Sequence, residues 1–378
     1  MFILNKTNFN LLSLDNDWKV TGKGFSLFGD GLQSNSIGCW KTIAIWNKYI
    51  TIDRSITKIR ITVNDPYSIF CIIRKYPEWV GFGGTIGEVD FKNQNLKFYQ
   101  MWTREKTPPS LCKQLVIKPD FFQGQEYEIL LEKDCGLSVL TIYNLKNGEF
   151  VSLKNDNALS LDRSKYTGKQ IGSPGFLFLE GNILIKQFEF LSPIAKFPKI
   201  AVLGDSLVEG ESLRGSSGGY DNRWCSKLFE YFGSDVLISG RGGEASSGLL
   251  RRLDIDISMF KPKNVIICIG LGDFNYNHFC SNYDMIIDYV IRNQVYPILC
   301  TVPPRPEHNN FFREALNNHI KSYKFPVIHL DKVLTINNDG HTPNTFLLEN
   351  DLIHPNKLGH QLIYKRLFVD IPQLLNNI

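Results

Sequence analysis

The chain has 378 residues, a formal net charge of +4 and the apolar content of an ordinary globular protein. That length predicts two domains rather than one. Acids and bases nearly balance and no long Lys/Arg block occurs, which argues against a nucleic-acid partner or an anionic membrane surface.

The N-terminus, Met1-Phe2-Ile3-Leu4-Asn5-Lys6, has no basic region ahead of a long apolar stretch, so no secretory signal is read from the chain as written. The expected location is cytoplasmic, or secreted or periplasmic where a signal has been removed. No segment approaches the roughly 18–20 apolar residues that span a bilayer. The eight cysteines include no C-x-x-C pair. Cys71, Cys268 and Cys300 lie in apolar strand-like runs, where a thiol acts as a small hydrophobe. A reduced compartment is the simpler reading, without a disulfide or zinc framework.

Residues 1–192 read as strands separated by Gly, Asn and Asp. Thr57 to Val63 alternates apolar and polar side chains, as do Tyr127 to Leu131 and Leu137 to Tyr143. Phe176 to Leu179 and Ile183 to Ile185 flank Glu180-Gly181-Asn182, a tight connection. Period-two patterning of this kind predicts an antiparallel sandwich. Its end, Gly172-Ser173-Pro174-Gly175-Phe176-Leu177-Phe178 followed by Ile183 to Phe190, resembles the closing strands of a concanavalin-like or carbohydrate-binding jelly roll. Trp79, Phe82, Tyr99 and Trp102 are candidate sugar-stacking residues.

Ser192-Pro193-Ile194-Ala195-Lys196-Phe197-Pro198 is a short proline-marked linker. The expected domains are 1–194, a jelly-roll-like β-sandwich, and 195–378. Beyond the linker, strands and helices alternate. Strands are predicted at 199–204, 235–239, 264–270, 296–302 and 326–330. Helices are predicted at 220–232, 244–259, 281–293, 309–323 and 356–368. Continuously apolar strands between helices predict an α/β fold with a parallel five-stranded sheet covered on both faces.

Parallel strands deliver their C-terminal ends to one edge, where such sheets hold their chemistry. Gly204-Asp205-Ser206-Leu207 follows the first strand, and Ser239-Gly240-Arg241-Gly242-Gly243 the second. Gly270-Leu271-Gly272-Asp273 follows the third, and Thr301-Val302-Pro303-Pro304-Arg305 the fourth. Asp351-Leu352-Ile353-His354 comes about 145 residues after Ser206, just before the last helix. A serine is a poor nucleophile near neutral pH unless a base accepts its proton and a third group orients the base. These segments offer all three.

In this order, over roughly residues 198–370, the segments resemble the SGNH (GDSL-type) hydrolases. The resemblance implies a flavodoxin-like three-layer sandwich in which Ser206 attacks an ester carbonyl. It also implies that His354 carries the proton and Asp351 orients the imidazole. The backbone N–H groups of Ser206 and Gly240 are expected to face the oxyanion, glycine at 240 leaving room for the substrate oxygen. The chain departs from the family in the third block, usually G-x-N-D, where Gly272 stands in place of an amide donor. Loss of one such donor typically costs about 2.7–4 kcal/mol in the transition state. Asn275, Asn277 and Arg241 are candidate substitutes.

Asp205, Arg241, Asn275 and Arg305 are candidate substrate contacts. Asp205 and Asp273 are read first as loop-ordering groups, and Arg305 equally as a contact or a brace. The other histidines, His278, His308, His319, His329, His341 and His360, show no pairing at metal spacing. No metal or cofactor is expected. A β-sandwich ahead of such a domain resembles the two-domain acetyl esterases that deacetylate polysaccharides. The implied activity is removal of O-acetyl groups from a carbohydrate through an acyl-enzyme on Ser206, acting on an acetylated saccharide or another small ester. The alternatives are an O-acetyltransferase with the same triad and a non-catalytic glycan-binding protein with a degenerate hydrolase domain. Oligomeric state is not legible.

Overall fold

Alternation of apolar and polar residues produces the strands of the first half. In Glu126–Asp134, every second side chain is buried until the last. This is what a sheet with one covered face requires. The computed structural model describes residues 1–7, 18–21, 25–28, 31–34, 43–48, 50–75, 84–101, 110–122, 125–134, 137–155, 172–210, 213 and 219–372. They divide into two compact units: Met1–Ile50 with Arg54–Pro193, and Thr51–Asp53 with Ile194–Ile378.

The first unit is an all-β sandwich of two antiparallel sheets. Among the described residues, one sheet runs Phe150–Asn155, Leu137–Asn144, Glu126–Asp134, Arg54–Val63, Ile183–Ser192, Gly31–Ser34 and Phe25–Phe28, with Phe2–Thr7 also on Ile183–Ser192. The other runs Ser110–Val116, Asn95–Met101, Gly84–Asp90, Ile69–Lys75, Ser173–Glu180, Ile43–Trp46 and Trp18–Thr21. The connection at Glu180-Gly181-Asn182 therefore passes from one sheet to the other rather than closing a hairpin. Rings fill the space between the sheets. Trp18 meets Phe188 edge-on at 4.7 Å between centroids and Phe176 at 5.4 Å.

The second unit is an α/β layer structure. Its strands are β1 (Ile200–Gly204), β2 (Val236–Gly240), β3 (Asn264–Cys268), β4 (Tyr296–Cys300) and β5 (Val327–Ile328). They are parallel in the order β2-β1-β3-β4-β5, the flavodoxin-like arrangement. Strands β1 and β2 are buried at every residue, as strands covered on both faces must be. The helices are α1 (Ser206–Glu209), α2 (Leu228–Phe232), α3 (Ser246–Leu250), α4 (Tyr276–Arg292), α5 (Asn310–Ser322), α6 (Leu330–Val333) and α7 (Lys357–Asp370).

Two helices expected from the sequence are interrupted. The stretch 220–232 holds a 3₁₀ turn, Gly219–Asn222, and then only α2. The stretch 244–259 holds α3 and a π-helical turn, Asp254–Met259. Beside the second break, buried Arg252 pairs with buried Glu244 and Asp256. Helix α4 starts five residues before its expected position, because Asn275 caps it by accepting from the His278 N–H at 3.0 Å.

Thr51–Asp53 joins the second unit from far away in sequence. Ile52 bridges Ser239 in antiparallel fashion, and the Asp53 N–H donates to Ile238 O at 3.0 Å. Nothing in the alternation of the surrounding residues points to this.

Candidate active site

Ser206 follows β1 directly. The Asp205 carboxylate accepts from the Leu207 N–H at 3.0 Å and so starts the short helix α1. A second Asp205 oxygen accepts from the Leu271 N–H at 3.3 Å. Asp205 therefore ties the serine turn to the loop after β3. It is only 2% exposed, and burial pushes its carboxyl up to about 7, although both backbone donors pull it down. In this placement Asp205 orders the two loops that it joins.

On the opposite side of Ser206, the segment Asp351–His354 forms a tight turn. The Asp351 Oδ1 accepts from the backbone N–H groups of Ile353 and His354 at 2.9 and 3.0 Å. Leu352 takes a left-handed backbone, φ 57°, to make this possible, which costs a leucine about 1–3 kcal/mol. The Asp351 Oδ2 lies 2.6 Å from His354 Nδ1, and His354 Nε2 lies 2.8 Å from Ser206 Oγ. A carboxylate only accepts, so Nδ1 carries the hydrogen and Nε2 is left to accept from the serine hydroxyl. Burial would raise the Asp351 carboxyl, but the bonds from the His354 ring and the two N–H groups hold it below its usual range. Ser206 is 6% exposed, and its backbone N–H has no hydrogen-bond partner among the described residues.

Behind the serine, the sheet end is held by a buried cation. Arg252 donates to Gly204 O at 3.0 Å, to Ser239 Oγ at 2.8 Å and to Glu244 at 2.7 Å, and it pairs with Asp256. Ser239 Oγ also bonds Thr51 Oγ1. Arg223 lies on the other side of α1, where it donates to Val208 O and Glu209 O at 3.3 Å and pairs with Asp53 at 2.7 Å. Nothing in the local pattern singles out Arg252, Arg223 or Asp53, because their roles depend on burial.

The remaining blocks differ from expectation in detail. A side chain at 240 would strike the Glu209 backbone N at 2.6 Å and Val208 at 2.7 Å. Glycine is thus required there for α1 to lie on β2, a reason separate from substrate approach. At Gly272 a Cβ would lie 2.5 Å from Glu244 O and 2.9 Å from its carbonyl carbon. The Glu244 backbone, just after the second block, occupies the place where an asparagine side chain would begin. Asp273 is buried and accepts from the Ser246 hydroxyl and N–H at 2.6 and 2.9 Å, joining the third block to α3. Asn275 is exposed and bonds only the α4 backbone among the described residues, so it makes no contact with the serine–histidine pair. Asn277 is also exposed. Arg305 donates to Leu271 O at 2.6 Å and to Glu307 at 2.8 Å, which makes it a brace of the same loop. Arg241 is half-buried, with its backbone N–H on Gly204 O at 3.0 Å.

Trp79, Phe82 and Trp102 lie outside the described residues. Tyr99 packs against the apolar cluster of Ile45, Cys71, Ile73, Ile86 and Leu177 and is half-buried. Among the described residues no group of three His, Cys, Asp or Glu gathers as a metal site, and no helix is long and apolar enough to cross a membrane.

Residues 202–362 match the GDSL-like lipase/acylhydrolase family. The second unit is a GDSL-like lipase/acylhydrolase domain. The match supports an esterase or acylhydrolase activity for this domain. No curated protein matches the chain. Among solved structures, the psychrotrophic esterase EstA from Pseudoalteromonas sp. is 22% identical, with a TM-score of 0.38 over 47% of this chain and 98% of that one. A GDSL-like lipase from Bacteroides thetaiotaomicron is 19% identical, with a TM-score of 0.37 over 49% and 90%. Axe2, an acetyl-xylooligosaccharide esterase from Geobacillus stearmophilus, is 16% identical, with a TM-score of 0.37 over 47% and 96%.

Proposed function

We propose that the protein is a serine esterase that removes O-acetyl groups from a carbohydrate. The carrying observation is the continuous chain from Asp351 through His354 to Ser206, at 2.6 and 2.8 Å. In this reading Ser206 Oγ attacks the acetyl carbonyl while His354 Nε2 accepts its proton. Asp351 holds the imidazole and stabilises the imidazolium. The open Ser206 N–H receives the oxyanion. His354 then gives the proton to the departing sugar hydroxyl, leaving an acetyl-serine. Water, activated by the same imidazole, releases acetate and restores Ser206.

The saccharide half of the proposal rests on the polar side chains of the loops and helix at the sheet edge, and in this reading the β-sandwich unit would place the polymer. Hydrolysis of p-nitrophenyl acetate tests the chemistry. Ser206→Ala should abolish it and His354→Ala should reduce it by several orders of magnitude, with the fold intact by circular dichroism. Undiminished turnover in Ser206→Ala rules the mechanism out.

A further inference from the structure

We propose that the groove beside Phe274 is a sugar-binding subsite, which seats a ring of the saccharide next to the one that carries the ester. The inference rests on the esterase reading for its place in the reaction, but its observations are separate. The groove has a volume of about 530 Å³, enough for one or two sugar rings, and is lined in part by Ser247, Phe274, Asn275, His278, Ser281 and Asn282.

Phe274 is 60% exposed, which is ordinary for a single surface aromatic; what sets it apart is its bracing. The Arg305 guanidinium carbon lies 4.7 Å from its centroid, and the His308 ring meets it at 5.0 Å and 77°. Arg305 is itself fixed by Leu271 O and Glu307, and His308 is buried against Phe312 at 5.1 Å. A braced, exposed ring of this kind is a platform for the C–H face of a sugar.

The polar lining supplies the other half of sugar recognition. Asn275, His278, Ser281 and Asn282 recur at helical spacing along one face of α4. Asn275 spends its side-chain oxygen on the cap and keeps its amide hydrogens. Asn282 donates to Ser246 Oγ at 3.0 Å and keeps its carbonyl. The side chains of His278, Ser281 and Ser247 make no hydrogen bond among the described residues. Several unspent donors and acceptors beside a single aromatic platform suit a polyhydroxylated ligand. They do not suit a long acyl chain, and no Lys or Arg lines the groove to hold a phosphate. Gly272 also lines the groove, and its neighbour Leu271 donates its N–H to Asp205, the residue before Ser206.

The test is calorimetric titration of the full chain carrying Ser206→Ala with deacetylated and partly acetylated xylo-, cello- and chito-tetraose. At least one should bind. Adding Phe274→Ala should weaken that binding by about tenfold or more, and His278→Ala with Ser281→Ala should weaken it independently. Phe311→Ala, another exposed phenylalanine at 83%, should leave it unchanged. No binding by any tetraose, or equal binding with and without Phe274→Ala, overturns the subsite. The p-nitrophenyl acetate assay stands apart: its failure removes the esterase reading while a Phe274-dependent titration keeps the sugar site.

Discussion

The Arg223 guanidinium and the Asp53 carboxylate, 170 positions apart in the chain, meet at 2.7 Å with both side chains fully buried. Arg223 also donates to Val208 O and Glu209 O, carbonyls at the end of the helix that begins with Ser206. Removing one partner of a buried pair leaves an uncompensated charge and costs about 3–5 kcal/mol, whereas removing both costs less. Asp53→Ala is therefore expected to lower the urea midpoint of the second unit strongly and to reduce kcat. The double variant Asp53→Ala with Arg223→Met should recover part of the stability. A double variant less stable than Asp53→Ala alone contradicts this account.

Gly272→Asn restores the residue type that the family carries, and it should not restore an oxyanion donor. The new Cβ would begin 2.5 Å from Glu244 O, which is backbone and cannot swing away. Overpacking of this kind costs about 1–3 kcal/mol. The expected result is a lower melting temperature with no rise in kcat for p-nitrophenyl acetate. A rise in kcat would show that the 244–245 backbone yields.

Asp351→Asn separates orientation from scaffolding. The amide keeps an oxygen for the N–H groups of Ile353 and His354 but cannot both do so and present a full carboxylate to Nδ1. The turn should persist while kcat falls on the order of 10³–10⁴-fold, the effect of losing the required tautomer. Because the Asp351 carboxyl is held below its usual range, its ionised form is present above that range and lost only as pH falls through the lowered value. Acid inactivation arising from this group should therefore begin below the ordinary carboxylate pKa, which a pH profile of kcat/KM reads.

Asp205 gives stability a dependence of the opposite sign. Burial raises its carboxyl from 3.8 to about 7 in the folded chain. Between those values the unfolded chain releases the proton and the folded chain keeps it, so stability falls as pH rises toward 7. The full effect is at most roughly 4 kcal/mol, from three units at about 1.4 kcal/mol each. Asp205→Asn should flatten this dependence when urea midpoints are compared at pH 4.5 and pH 8. An equal slope in the variant means the carboxylate is ionised throughout.

The short motifs and the two periodicities were enough to read the hydrolase family and the class of fold from the chain. Ser206, Asp351 and His354 stand out because a strand end and a helix start are local events, written in adjacent residues. The five strands of the parallel sheet are legible for the same reason, since a strand covered on both faces must be apolar throughout. The breaks inside the stretches 220–232 and 244–259 are not, because no Pro or other local signal in either marks where the helix stops.

Tertiary structure alone decided the rest. Nothing local singles out Asp53 until it is found beside Arg223. Gly272 reads as a lost donor until Glu244 O is found where its side chain would start. Arg305 reads equally as a contact or a brace, and Asp205 first as a loop-ordering group, until each is found bonded to Leu271. In each case the deciding partner is distant in sequence, and the energy of a buried charge or a close backbone contact comes from that partner rather than from the residue type.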